Sequence, residues 1–246
     1  MPVDVVTEFL SELHDRGLQT NTVAGYRTAI GATHRGFEDG SNVSNNPLVH
    51  KVIQGAFTLR PPPQRLVPPW SLTLVLRSLA KAPYEPLGQA SLKNLTLKCA
   101  FLLTLASARR SSQITALSIE PDNLVWTKTG VKLSTKLGFL AKNQRINFTP
   151  EPISLHSIKH FSAVEEDKMW CPVRTLKFYI HRTKDIRKNC KQLFIKTIEP
   201  HDGVQASTLA GWIVSTIKAA YPDNLAPGLA SKPHAHDVRG VSASWA

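Results

Sequence analysis

His236 and Arg239 lie three apart in the segment His234-Ala235-His236-Asp237-Val238-Arg239. On a helix that spacing is close to one turn, so both side chains can face one site. An imidazole can give a proton to a leaving oxygen or hydrogen-bond a non-bridging one. A guanidinium holds two phosphate oxygens in a fixed planar fork. Far upstream, Arg110 follows a nearly all-apolar run in Ala108-Arg109-Arg110-Ser111-Ser112-Gln113-Ile114, where it would emerge at the edge of a core. Converging arginines and a histidine are suited to stabilising a phosphate transition state. Arg110 also has a plainer use, as a helix-end cation offsetting the dipole. Arg109 points about 100° away from it on a helix and suits a backbone phosphate or solvent.

Between Leu124 and Pro150 lie Lys128, Lys132, Lys136, Lys142 and Arg145 with no acid. A hairpin with a cationic tip can reach a groove or a scissile phosphate, and one of its lysines could protonate a leaving oxygen. Residues 168–191 add Lys168, Arg174, Lys177, Arg182, Lys184, Arg187, Lys188 and Lys191 against Asp185 alone. Such a run is usually a solvated face; beside the hairpin it reads as a phosphate track, with Lys177 and Lys184 as DNA contacts. His234 and His236 could pair on a metal only from an extended backbone, and no third ligand is evident, so no metal site is expected. Asp237 suits a cap or an orienting role. No phosphate-binding glycine loop or dinucleotide glycine pattern is present.

The elements that must position these groups follow from periodicity. Val5, Val6, Phe9, Leu10 and Leu13 predict a helix ended by Gly17. Thr20-Asn21-Thr22 offers caps for a second, with Val23, Tyr26 and Ile30 buried, and Pro47 starts a third with Leu48, Val52, Ile53 and Phe57 on its apolar stripe. Five prolines between 61 and 69 break the pattern and run extended. The predicted organisation is a helical domain over 1–60, a linker over 61–70 and a larger domain over 71–246. In the latter, helices are expected over about 71–80 and 91–107, after Pro172, from Ser207 and near His234. Short strands are expected at 124–126, 131–133, 145–148 and 193–195, with Gly130 as a turn residue. The fold class is mainly α with a small antiparallel β-sheet.

The net charge of +12 is uneven. Residues 1–60 hold 5 Lys/Arg against 6 Asp/Glu, whereas 61–246 hold 25 against 12. Such basicity favours a polyanionic partner. Three scattered cysteines exclude a disulfide framework. No apolar stretch is long enough for a membrane span, and acids in the first 20 residues argue against a leader peptide, so the expected location is intracellular.

The order and separation of these motifs resemble the tyrosine recombinases, the phage-integrase family. Ser107-Ala108-Arg109-Arg110-Ser111-Ser112-Gln113-Ile114 resembles their first arginine motif, with Ala108 in place of a glycine and Gln113 in place of a glutamate. His236-Asp237-Val238-Arg239 resembles their histidine-x-x-arginine motif. The wording of Gly138-Phe139-Leu140-Ala141-Lys142-Asn143-Gln144 and of Val241-Ser242-Ala243-Ser244-Trp245 is similar to the branch carried by eukaryotic retrotransposons. The resemblance implies a helical core-binding domain and most of a catalytic domain. It makes Arg110, His236 and Arg239 catalytic, with Lys142 as the hairpin lysine and Lys136 and Lys132 as alternatives. Arg109, Lys132, Lys136, Arg145, Lys177 and Lys184 would bind DNA.

The family places a further histidine or tryptophan and then its nucleophilic tyrosine some tens of residues past the second arginine, whereas this sequence ends at Ala246. Tyr26, Tyr84, Tyr179 and Tyr221 do not match, so no nucleophile is assigned, and the catalytic domain is expected to be incomplete at its C-terminus. The resemblance therefore implies a DNA-binding protein of the site-specific recombinase type, catalytically incompetent as it stands, in the nucleus or elsewhere in the cell. Its partner would be double-stranded DNA, on which a complete relative would assemble as a homo-oligomer. No metal or nucleotide cofactor is implied, because a 3′-phosphotyrosyl link conserves the bond energy. The alternatives are a non-catalytic DNA-binding or regulatory protein on the same scaffold, and a helical protein-interaction module, which would leave the acid-free hairpin unused.

Overall fold

The structure is a computed structural model that describes residues 1–62, 70–141, 151–221 and 233–244. Lys142, Arg145, the strand expected at 145–148, most of the proline run and Trp245 lie outside the described residues. The described chain is mainly α-helical with one small antiparallel sheet. It divides into two compact units, Met1–Leu66 and Val67–Ala246.

The first unit holds three helices, α1 Val3–Asp15, α2 Thr20–Thr33 and α3 Pro47–Leu59. Val6, Leu10 and Leu13 repeat every three or four residues on α1 and meet Val23, Val49 and Ile53 in a small core. Thr20 does not cap α2. Its hydroxyl is buried and donates to the Arg60 carbonyl at 2.7 Å, tying the end of α3 to the start of α2. Asn46 does cap α3, accepting from the Leu48 and Val49 amides. The buried stripe of α3 is rotated from the expected one: Val49, Ile53 and Ala56 are inside and Leu48 is exposed, and on α2 Tyr26 is exposed too.

The second unit is built around α5, Leu92–Ser107, whose residues Leu95 to Thr104 are all buried. A helix apolar on every side must be wrapped by neighbours. Here they are α7 Pro172–Thr183, α8 Ala206–Ala219, α9 Ala235–Ser244 and the sheet. Two shorter helices, α4 Leu72–Leu79 and α6 Ser111–Thr115, also belong to this unit. Ser71 and Ser91 cap α4 and α5. Ser207 does not cap α8, whose first turn follows Gln205 without a side-chain bond.

The sheet runs β1 Leu124–Trp126, β2 Gly130–Leu133, β3 Ile153–His156, with Val125 opposite Lys132 and Lys132 opposite Ser154. β3 was not expected, although Ile153 and Leu155 alternate inward with Ser154 and His156 outward. Residues 193–195 form no strand of this sheet; the segment is held by isolated bridges from Ser118 to Gln192 and from Ile195 to Gly203.

Candidate nucleic-acid interface

Helix α5 ends at Ala108, whose φ of 51° is left-handed. A side chain is disfavoured there, so this is a backbone position suited to glycine rather than one that merely tolerates alanine. The reversal delivers Arg109 and Arg110, both half-buried, to the start of α6. The Gln113 side-chain oxygen accepts from the Arg110 amide at 3.1 Å, which gives Gln113 a structural task at this joint.

Helix α9 docks against the same joint. Val238 and Val241 are buried on the core, and the Ser242 hydroxyl donates to the Leu105 carbonyl at 2.5 Å. Arg239 Nε donates to the Ala108 carbonyl at 2.9 Å, two residues before Arg110. His236 stands one turn earlier on α9 and is exposed. Asp237 reaches back to accept from the His234 amide at 2.8 Å, fixing the helix start as half of a capping box.

The segment after β2 meets the C-terminal end of α6. The Lys136 amide donates to the Ala116 carbonyl at 2.8 Å, one residue past α6, and its side chain is exposed. Lys132 is exposed on the outer face of β2, between inward Val131 and Leu133. The structure thus brings Arg239 to the loop bearing Arg109 and Arg110 at the start of α6, and the Lys136 backbone to the far end of that helix.

Half of the expected phosphate track over 168–191 is engaged within the fold. Arg174 forks onto Glu85 at 2.7 and 3.2 Å. Arg182 donates to the Gly88 carbonyl at 2.9 Å. Arg187 is buried and donates to the Thr183 hydroxyl and to the carbonyls of Gln192 and Leu193. Burial lowers its pKa from the usual arginine value, with the nearby Tyr179 opposing. Lys168 pairs with Glu165. Lys177, Lys184, Lys188 and Lys191 remain exposed. Lys177 lies on α7 with its ammonium 5.1 Å from the centre of the Trp126 ring.

The four tyrosines have other duties. Tyr179 is fully buried, its oxygen accepts from the Ile195 amide at 3.1 Å, and burial holds its phenol well above the ordinary pKa. Tyr84 is buried, and burial raises its pKa as well. The Tyr221 oxygen accepts from the Ser71 amide at 2.5 Å. Tyr26 belongs to the first unit, edge-on to Phe9. Among the described residues no three His, Cys, Asp or Glu side chains cluster as metal ligands, and no helix is long and apolar enough to cross a membrane.

No protein-family model and no curated protein matches the sequence. Among solved structures, the chain is similar to XerA recombinase at 16% identity and a TM-score of 0.44, over 99% of this chain and 74% of that one. It is also similar to lambda integrase, as a dimer bound to a COC′ core site, at 13% identity and a TM-score of 0.46, over 99% of this chain and 89% of that one.

Proposed function

We propose that the chain binds double-stranded DNA through the joint of α5, α6 and α9, as a recombinase-type protein that forms no covalent link by itself. The observation that carries this is the Arg239 bond to the Ala108 carbonyl, which sets α9 against the loop bearing Arg110. Arg110 and Arg239 would clamp one phosphate, with His236 on a neighbouring oxygen and Lys136 or Lys142 supplied by the hairpin. Arg109, Lys132 and Arg145 would hold flanking phosphates, and Lys184 would add to the attractive field. The first unit would serve as the helical core-binding domain, and assembly as a homo-oligomer on DNA belongs to the same reading. The motif wording at Gly138–Gln144 and Val241–Trp245 supports kinship with eukaryotic retrotransposon recombinases and thus a nuclear place of action. The engagement of Tyr84, Tyr179 and Tyr221 in packing or backbone bonds favours the non-catalytic form of this reading.

Duplex titrations at 50 and 200 mM salt test it. Each phosphate contact contributes a slope of about −0.9 in log affinity against log salt, so binding should weaken steeply. Arg110→Ala should weaken binding by at least about tenfold, since a charge-assisted bond is worth roughly 1.5–3 kcal/mol. A salt-independent affinity, or wild-type affinity in a folded Arg110→Ala protein, would overturn the assignment.

A further inference from the structure

A cavity of about 350 Å³ opens in the second unit between the β1–β2 turn, the segment after β3 and the start of α7. Lys128, Lys159, Lys168, Arg174 and Lys177 line it, and Glu165 is the single acid in its wall. It shares no lining residue with the joint of α5, α6 and α9. The β1–β2 turn is at the opposite end of β2 from the segment bearing Lys136, a strand of about 10 Å away at roughly 3.3 Å per residue.

Two of the five cations already have a carboxylate partner, Lys168 in Glu165 and Arg174 in Glu85. Lys128, Lys159 and Lys177 are exposed and have no salt-bridge partner among the described residues. Three lysines without a carboxylate partner around one small concavity repel one another, and an anion seated between them turns that repulsion into attraction. Hydroxyls are available from Thr129 and Ser157 on the same wall, with Phe178 as an apolar flank. The size falls in the range of small-molecule pockets, and walls on three sides suit a compact ligand better than the ridge of a duplex.

We propose that this cavity binds a compact, multiply charged phosphate compound, of the kind formed by the phosphate chain of a nucleoside triphosphate. Lys128 and Lys159 approach from the turn and the post-β3 segment, and Lys177 from α7. Binding would draw the Lys177 ammonium from the Trp126 ring toward the phosphates. The site is independent of the proposed DNA surface.

Calorimetric titration of the full chain at 50 mM salt with inorganic tripolyphosphate and, separately, with ATP tests the proposal. Both should bind, and the double variant Lys128→Glu/Lys159→Glu should weaken both by at least about tenfold, a loss of roughly 1.4 kcal/mol. Equal affinities would show that the phosphate chain alone is recognised; tighter ATP binding would add a contact from the nucleoside. Arg110→Ala should leave both titrations unchanged, and saturating duplex should not displace either ligand. Absence of binding, or equal binding by the folded double variant, overturns the proposal. Displacement by duplex, or loss of binding in Arg110→Ala, also overturns it by assigning the anion to the DNA surface. Because Arg110 and the two lysines are varied separately, failure here is distinct from failure of DNA binding.

Discussion

Lys98 sits in the middle of α5 with no exposed surface, its ammonium 2.8 Å from the Leu79 carbonyl and 2.6 Å from a Glu85 oxygen. Arg174 closes the triad from α7. Burial lowers the lysine pKa, opposed by Glu85. Burial pushes the Glu85 carboxyl up, but hydrogen bonds and charge from Arg174 and Lys98 outweigh it and leave the pKa lowered. Removing the shared anion would strand two cations, so Glu85→Gln should cost about 3–5 kcal/mol in urea unfolding at pH 7. On acidification the unfolded chain takes up the Glu85 proton first, near pH 4.5, the ordinary value. Stability from this carboxylate is therefore complete above that pH and lost as pH falls through the lower folded value, and Glu85→Gln should flatten that part of the acid limb. A cation inside an apolar helix is a sequence signal that a buried partner exists. Its identity was not legible, because Glu85 is 13 residues from Lys98 and 89 from Arg174. The same limit dissolved the basic run at 168–191, where one-dimensional spacing does not separate paired arginines from free lysines.

The helical elements were legible where packing follows local periodicity, as in α1, α5 and α9. His236 and Arg239 are on one helix because their spacing is local, whereas the Arg239–Ala108 bond spans 131 residues and has no counterpart in any short pattern. The sheet shows a different limit. Gly130 was expected as a turn residue, yet its requirement comes from β3: an added Cβ would stand 1.8 Å from the Leu155 carbonyl oxygen. The obstacle is backbone in a paired strand, which cannot move aside without breaking the register of Val131 opposite Leu155. Gly130→Ala should therefore destabilise the second unit by about 3 kcal/mol, the upper end of the usual cost of overpacking. The cavity beside the turn would deform with it. Urea unfolding followed by tryptophan fluorescence measures this, and a loss below about 1 kcal/mol would show that β3 is not held in this register.

Across the whole molecule the cationic excess belongs to residues 61–246, while the first 60 residues carry a net charge of −1. Charge can steer a polyanion to the second unit and stabilise a phosphorane there, but it does not supply a group that attacks phosphorus. Of the four tyrosines, Tyr84 and Tyr179 are in the core, Tyr221 holds the Ser71 amide, and Tyr26 lies in the first unit. A phenol must be both deprotonated and in line with the phosphate to act as a nucleophile. Burial moves Tyr84 and Tyr179 away from the first condition by raising their pKa values. Freeing Tyr221 would cost its backbone bond at the start of α4. The 246-residue chain should therefore bind nicked suicide duplexes without becoming attached to them, as read by denaturing gels. A covalent adduct that disappears in Tyr221→Phe would place that tyrosine in the site and assign the chain a complete strand-cleaving centre.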